Sequence, residues 1–152
     1  FNRILGSIKG AVDEGANLAV GGKRAEGADL ENGFFVEPTI FTGVSNDMTI
    51  AQEEIFGPVG VVIGFDTDEE AIAIANDSRF GLNSGVMTAD PAVAHHIAKR
   101  IRAGSVYING DGGTMPYVPI GGFKRSGIGR ELGSGWLNEF TEEKSLIYPV
   151  GR

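Results

Sequence analysis

Apolar residues at Ile4, Leu5, Ile8 and Val12 recur at a spacing near 3.6 and stop before Gly15, which predicts an amphipathic helix over 1–14 that ends on a glycine. Phe34 to Phe41 gathers aromatic and β-branched types around Pro38, the pattern of an edge strand or of a strand with a break. Val59 to Phe65 is a nearly continuous apolar run, too short for a typical helix, and predicts a central strand buried on both faces. Thr67-Asp68-Glu69-Glu70 then puts a capping hydroxyl three residues before a glutamate that reaches back, and Ala71, Ile72, Ile74 and Ala75 supply the buried face of the helix that follows.

A short strand at 85–88 precedes Asp90-Pro91, a cap residue followed by proline at the first helical position, and Val93, Ala94, Ile97, Ala98 and Ile101 form that helix's stripe. Ser105 to Asn109 predicts another strand, and a glycine-rich loop runs from Gly110 to Gly122. A helix over 129–143 and a last strand over 144–150 complete the series, the strand pairing either within its own domain or with a neighbouring subunit's sheet edge. Strands and helices alternate, so the expected fold class is α/β with a largely parallel sheet.

The 24 glycines sit at joints and form no low-complexity tract. With 152 residues and 41% apolar content the chain fits one ordinary domain with a real core. A formal net charge of −7 and scattered basic residues argue against nucleic acid or an anionic membrane as partner. No apolar run approaches the roughly 20 residues that span a bilayer, and no leader pattern opens the chain, so a cytoplasmic location is expected. With no cysteine, the chain has no disulfide, thiolate metal site or cysteine nucleophile of its own.

Taken alone, the adjacent carboxylates Glu53 and Glu54 read as solvated charges, because neighbours in sequence point in different directions and make no matched acid/base pair. Phe56-Gly57-Pro58 changes that reading: a flat ring beside a tight turn, next to a carboxylate, is suited to a nicotinamide riboside whose hydroxyls the carboxylate accepts. His95 and His96 belong to no metal motif and read as surface or packing histidines, so no metal site is expected. Gly110-Asp111-Gly112-Gly113 lacks the Lys-Ser/Thr ending of a phosphate loop, leaving a substrate loop or a plain surface loop. Neither Gly21-Gly22 nor Gly133-Ser134-Gly135 has the spacing of a dinucleotide fingerprint. Trp136 and Phe140, four apart, read as a buried pair on the last helix.

Glu53-Glu54-Ile55-Phe56-Gly57-Pro58, Gly81-Leu82, Asn109, Pro119-Ile120-Gly121-Gly122-Phe123-Lys124 and Ser126-Gly127-Ile128-Gly129-Arg130-Glu131-Leu132-Gly133 occur in one order, together with Gly21-Gly22, Gly33-Phe34-Phe35 and Pro38-Thr39. The ordered set resembles the C-terminal part of an NAD(P)-dependent aldehyde dehydrogenase. The resemblance implies an incomplete catalytic domain over 1–143 and an oligomerisation strand over 144–152, in a homo-dimer or tetramer. It implies NAD or NADP as cofactor and an aldehyde as substrate, oxidised to the acid through a cysteine thiohemiacetal.

Carried over residue by residue, Glu54 matches the acid that binds the nicotinamide ribose, Phe56 the ring at the same end of the cofactor, and Glu131 an acid of proton relay. Asn109 matches the asparagine before the substrate loop, while Thr114, Met115, Tyr117 and Ile120 fall in the loop lining the aldehyde tunnel. Ile120 departs from the aromatic residue frequent there, which implies a wider aliphatic pocket. The nucleophile, the general base, the oxyanion asparagine and the whole Rossmann half are expected before Phe1, so the missing N-terminal portion is the expected partner and the chain alone is expected to be inactive. The competing expectation is a stand-alone, non-catalytic module for oligomerisation or regulation. A large exposed apolar face marks a severed interface, and a polar one an autonomous module.

Overall fold

The computed structural model describes every residue except Asp111, Gly112, Thr114 and Arg152. The chain divides into two compact units, Phe1–Asp77 and Ser78–Arg152.

In the first unit, α1 spans Asn2–Asp13 and stops where Gly15 takes φ +99, a left-handed value that glycine adopts without a Cβ clash. Strands β1 (Asn17–Val20), β2 (Thr39–Thr42) and β3 (Val59–Val61) form one sheet in that order, with β1 antiparallel and β3 parallel to β2. Pro38 is accommodated because β2 begins one residue after it. In β2, Thr39 and Phe41 are buried and Ile40 is exposed, the period of two that a half-buried strand needs. Phe41, fully buried, centres a core with Ile8 and Ala11 of α1, Ala16, Val44, and Ile50 of the short helix α2 (Thr49–Gln52). Thr39 is buried without penalty: its Oγ1 accepts from Gly22 N–H at 2.9 Å and donates to the Glu37 carbonyl at 2.8 Å. Helix α3 (Asp68–Asn76) closes the unit. Its cap forms as expected, Thr67 Oγ1 accepting from Glu70 N–H at 3.2 Å while the Glu70 carboxylate accepts from Asp66 N–H at 2.8 Å.

The second unit is built on β4 (Asn83–Val86), α4 (Pro91–Ala98) and β5 (Ser105–Ile108), with β4 and β5 parallel and in register from Asn83↔Ser105 to Val86↔Ile108. Asp90 Oδ1 accepts from Ala92 N–H at 2.8 Å, so the expected cap and proline start hold. Ala94 and Val86 are its buried apolar residues among those described. His95 and His96 lie exposed on α4. From Ile120 onward the chain is held by turns and two 3₁₀ segments, Lys124–Ser126 and Trp136–Phe140.

The expected fold class needs correction. The alternation of strands and helices with mostly parallel pairing is observed, in two small sheets of which one is mixed, and the correction concerns the tail and the kind of domain. Residues 144–150 form no strand, and 129–143 hold one 3₁₀ segment in place of a helix. Among the described residues no oligomerisation strand is therefore present: an extended tail acquires strand geometry only from a partner edge. β3 pairs on one side only among the described residues, so it is an edge strand and not the central one its apolar run suggested. Trp136 and Phe140 do stack edge to face, 5.9 Å between ring centroids, but both are exposed. The expectation that architecture of the dinucleotide-binding kind lies wholly outside this chain is also corrected. β4, α4 and β5 make a parallel β-α-β unit, the building block of such sheets, and β2 and β3 are a second parallel pair joined through α2.

Candidate functional site

The candidate residues fall in both units, Glu54 and Phe56 in the first and the remainder in the second. Glu53 ends α2 with extended backbone, and the chain then passes through Glu54 and Ile55 to Phe56, which takes φ +52. A bulky residue in the left-handed region is a backbone outlier. The turn presents the Phe56 ring to solvent, 81% exposed, beside the exposed Glu54 carboxylate. The backbone behind them is fixed: Arg3 of α1 donates from Nη1 to the Glu54 carbonyl at 3.2 Å and from Nη2 to the Ile55 carbonyl at 2.6 Å. Sequence reasoning missed Arg3, because 52 residues separate it from Ile55 and no local pattern reports the pairing.

Asn109 follows β5 and takes φ +51, a conformation asparagine tolerates better than most residues. Its amide is committed to the segment after β4, Oδ1 accepting from Thr88 N–H at 2.9 Å and Nδ2 donating to the Thr88 carbonyl at 2.9 Å. This two-point clamp ties together the carboxyl ends of two parallel strands, the edge where α/β sheets place their ligands. The loop expected to line the substrate tunnel leaves from this edge; Thr114, one of its named residues, lies outside the described residues.

Met115 and Ile120 line a cavity of about 290 Å³ with Ser105, Tyr107 and Val118. Tyr117 stands 75% exposed, its hydroxyl donating to Met115 Sδ at 3.4 Å, and does not line that cavity. Ile120 also borders a second cavity of about 360 Å³, together with Leu82, Arg130, Glu131 and Phe140. Ile120 and Glu131 are joined by an isolated antiparallel bridge. The structure thus brings Met115, Ile120 and Glu131 into one neighbourhood, with Asn109 fixing the start of the loop. Arg130 braces it, donating to the Gly122 carbonyl at 3.1 Å and lying over the Phe123 ring, 5.3 Å from its centroid.

A family model described as "Aldehyde dehydrogenase family" matches residues 1–146. A betaine aldehyde dehydrogenase of Brucella melitensis is 46% identical over 151 residues, which are 99% of this chain and 31% of the relative. A crystal structure of a Mycobacterium tuberculosis aldehyde dehydrogenase complexed with NAD+ superimposes with TM-score 0.92 at 50% identity, covering 99% of this chain and 31% of that one. A betaine aldehyde dehydrogenase from Staphylococcus aureus in complex with NAD+ gives TM-score 0.89 at 46% identity, covering 91% of this chain and 28% of that one.

These matches correct two expectations. Assignment to the C-terminal part with an oligomerisation tail gives way to membership of the family without a terminal assignment: the family match stops at residue 146, and no strand follows it. The missing N-terminal portion, expected as partner, is withdrawn with it. What the matches establish is that the chain spans about 31% of the length of the curated relatives it matches, so most of each relative lies outside the match.

Proposed function

Because the chain belongs to the aldehyde dehydrogenase family, we propose that it works as part of a longer NAD(P)-dependent enzyme that oxidises an aldehyde to a carboxylic acid. The carrying observation is the pairing of Glu54 and Phe56. An exposed carboxylate and an exposed ring stand on one turn whose backbone Arg3 holds, an acceptor beside a flat apolar face that fits a nicotinamide riboside. Glu54 accepts hydrogen bonds from the ribose hydroxyls, and Phe56 limits where the heterocycle sits. NAD or NADP, when bound, supplies the hydride acceptor. Glu131 takes part in moving the proton released with the acid. Met115, Tyr117 and Ile120 border the path of the aldehyde, Asn109 anchors their loop, and the aliphatic Ile120 suits a wider substrate.

The nucleophile is a cysteine outside these 152 residues, which contain none. The chain alone is accordingly inactive. That it is a part and not an autonomous module is supported by its surface. Large apolar side chains lie exposed in both units, with Phe34, Met87, Ile128 and Ile147 each more than four-fifths exposed. Surface of this kind marks a severed interface. Among the described residues no helix is long and apolar enough to cross a membrane; a cytoplasmic setting belongs to the same proposal.

The test is Glu54→Gln in the full-length protein. The amide keeps the shape but gives up charge-assisted hydrogen bonds, so NAD(P)+ affinity should fall about tenfold with little change in melting temperature. Unaltered affinity and turnover would remove Glu54 from the site.

A further inference from the structure

Helix α1 holds the segment from Thr49 to Gly57 near both of its own ends. In its first turn, Arg3 donates to two successive carbonyls, those of Glu54 and Ile55, and Ile4 lies against Gly57 so closely that a Cβ there would fall 2.6 Å from Ile4 Cδ1. At its other end, Glu14 accepts from Thr49 N–H at 2.8 Å and from the Thr49 hydroxyl at 2.6 Å. Thr49 opens α2, which runs directly into Glu53 and Glu54. Between the two grips, Ile8 and Ala11 share the core with Ile50. The segment from Thr49 to Gly57 is therefore splinted by one helix.

The splint answers a specific need. Phe56 holds a left-handed backbone that a bulky residue keeps only where its surroundings enforce it, and its own ring, largely exposed, supplies little packing. The carbonyls that Arg3 holds are the two immediately before Phe56. A planar guanidinium can span two neighbouring acceptors at once, which the point charge of a lysine does less well. We propose that Arg3, supported by Glu14, is a positioning residue that sets the direction of the Glu54 carboxylate and the Phe56 ring toward the cofactor. This rests on the reading of Glu54 and Phe56 as cofactor contacts.

The experiment compares Arg3→Met, Arg3→Lys, Thr49→Val and Glu54→Gln in the full-length protein, reading NAD(P)+ dissociation constant, aldehyde KM, kcat and melting temperature. Arg3→Met should raise the NAD(P)+ dissociation constant about tenfold, the size of effect expected for a lost charged hydrogen-bond pair, with aldehyde KM unchanged. Arg3→Lys should recover part of that loss. Thr49→Val, which removes the hydroxyl that Glu14 holds while nearly keeping the side chain's shape, should give a smaller rise in the same constant. Weakened cofactor binding in Glu54→Gln with none in Arg3→Met or Thr49→Val would overturn the positioning role alone. No weakening in any variant would overturn the cofactor assignment beneath it. A fall in melting temperature accompanied by a raised aldehyde KM and weakened cofactor binding together in Arg3→Met would show a merely structural residue and also overturn the inference.

Discussion

Ile120 and Glu131 exchange both backbone hydrogen bonds, each N–H reaching the other's carbonyl at 2.8 Å. Their side chains are thereby held in one neighbourhood across ten intervening residues, while the bonds that hold them depend on neither side chain. Residue choice at either position can change chemistry without changing the fold.

Ile120→Phe should therefore leave stability nearly unchanged and narrow the space that Ile120 borders on two sides. In the full-length protein the kcat/KM ratio of slender over branched aldehydes should rise at least about tenfold, the discrimination that a methylene-scale change in an apolar pocket can give. Steady-state kinetics on a matched pair of aldehydes checks this; an unchanged ratio would take Ile120 out of the substrate path.

Gly104→Ala should disrupt the second unit. A Cβ at Gly104 would lie 1.6 Å from the Gly121 carbonyl oxygen and 2.8 Å from its carbon, both backbone atoms with no rotamer to yield. A loss of about 3 kcal/mol or more is expected from such overpacking. At Gly85 the nearest atom to a Cβ is the Tyr107 carbonyl oxygen at 4.0 Å, so Gly85→Ala should be tolerated. Urea unfolding of the two variants separates them, and equal stabilities would refute the contact.

Thr67→Ala and Asp90→Ala should each cost about 1 kcal/mol, the usual value of a lost N-cap. Denaturation midpoints at unchanged slope would report it. A cost well below half that value at both sites would mean that neighbouring groups already satisfy these helix ends.

The 152-residue chain by itself should bind an apolar dye strongly and self-associate as concentration rises, because many of its large apolar side chains lie exposed. Fluorescence titration and light scattering test this. A monodisperse chain that ignores the dye would favour an autonomous module.

Much of this molecule was legible where the determinant is local. The caps at Thr67 and Asp90 and the glycine stop at Gly15 each depend on a few consecutive residues. What depended on distant pairing was not. Lys144 to Val150 has strand composition but forms no strand without an edge to join, and Val59 to Phe65 read as central although its pairing partners leave it at an edge. The same division runs through the site. Phe56 and Asn109 were visible as motif residues, whereas their left-handed backbones, the Arg3 grip and the Thr88 clamp arise only on folding.

Aldehyde-dependent reduction of NAD+ or NADP+ should be measured side by side on the full-length protein and on the 152-residue chain, across a panel of aldehydes. Reduced cofactor should accumulate with the full-length protein and stay at background with the chain alone, which holds no thiol nucleophile. Turnover by the isolated chain, or none by the full-length protein with any aldehyde, would contradict the proposed division of the chemistry.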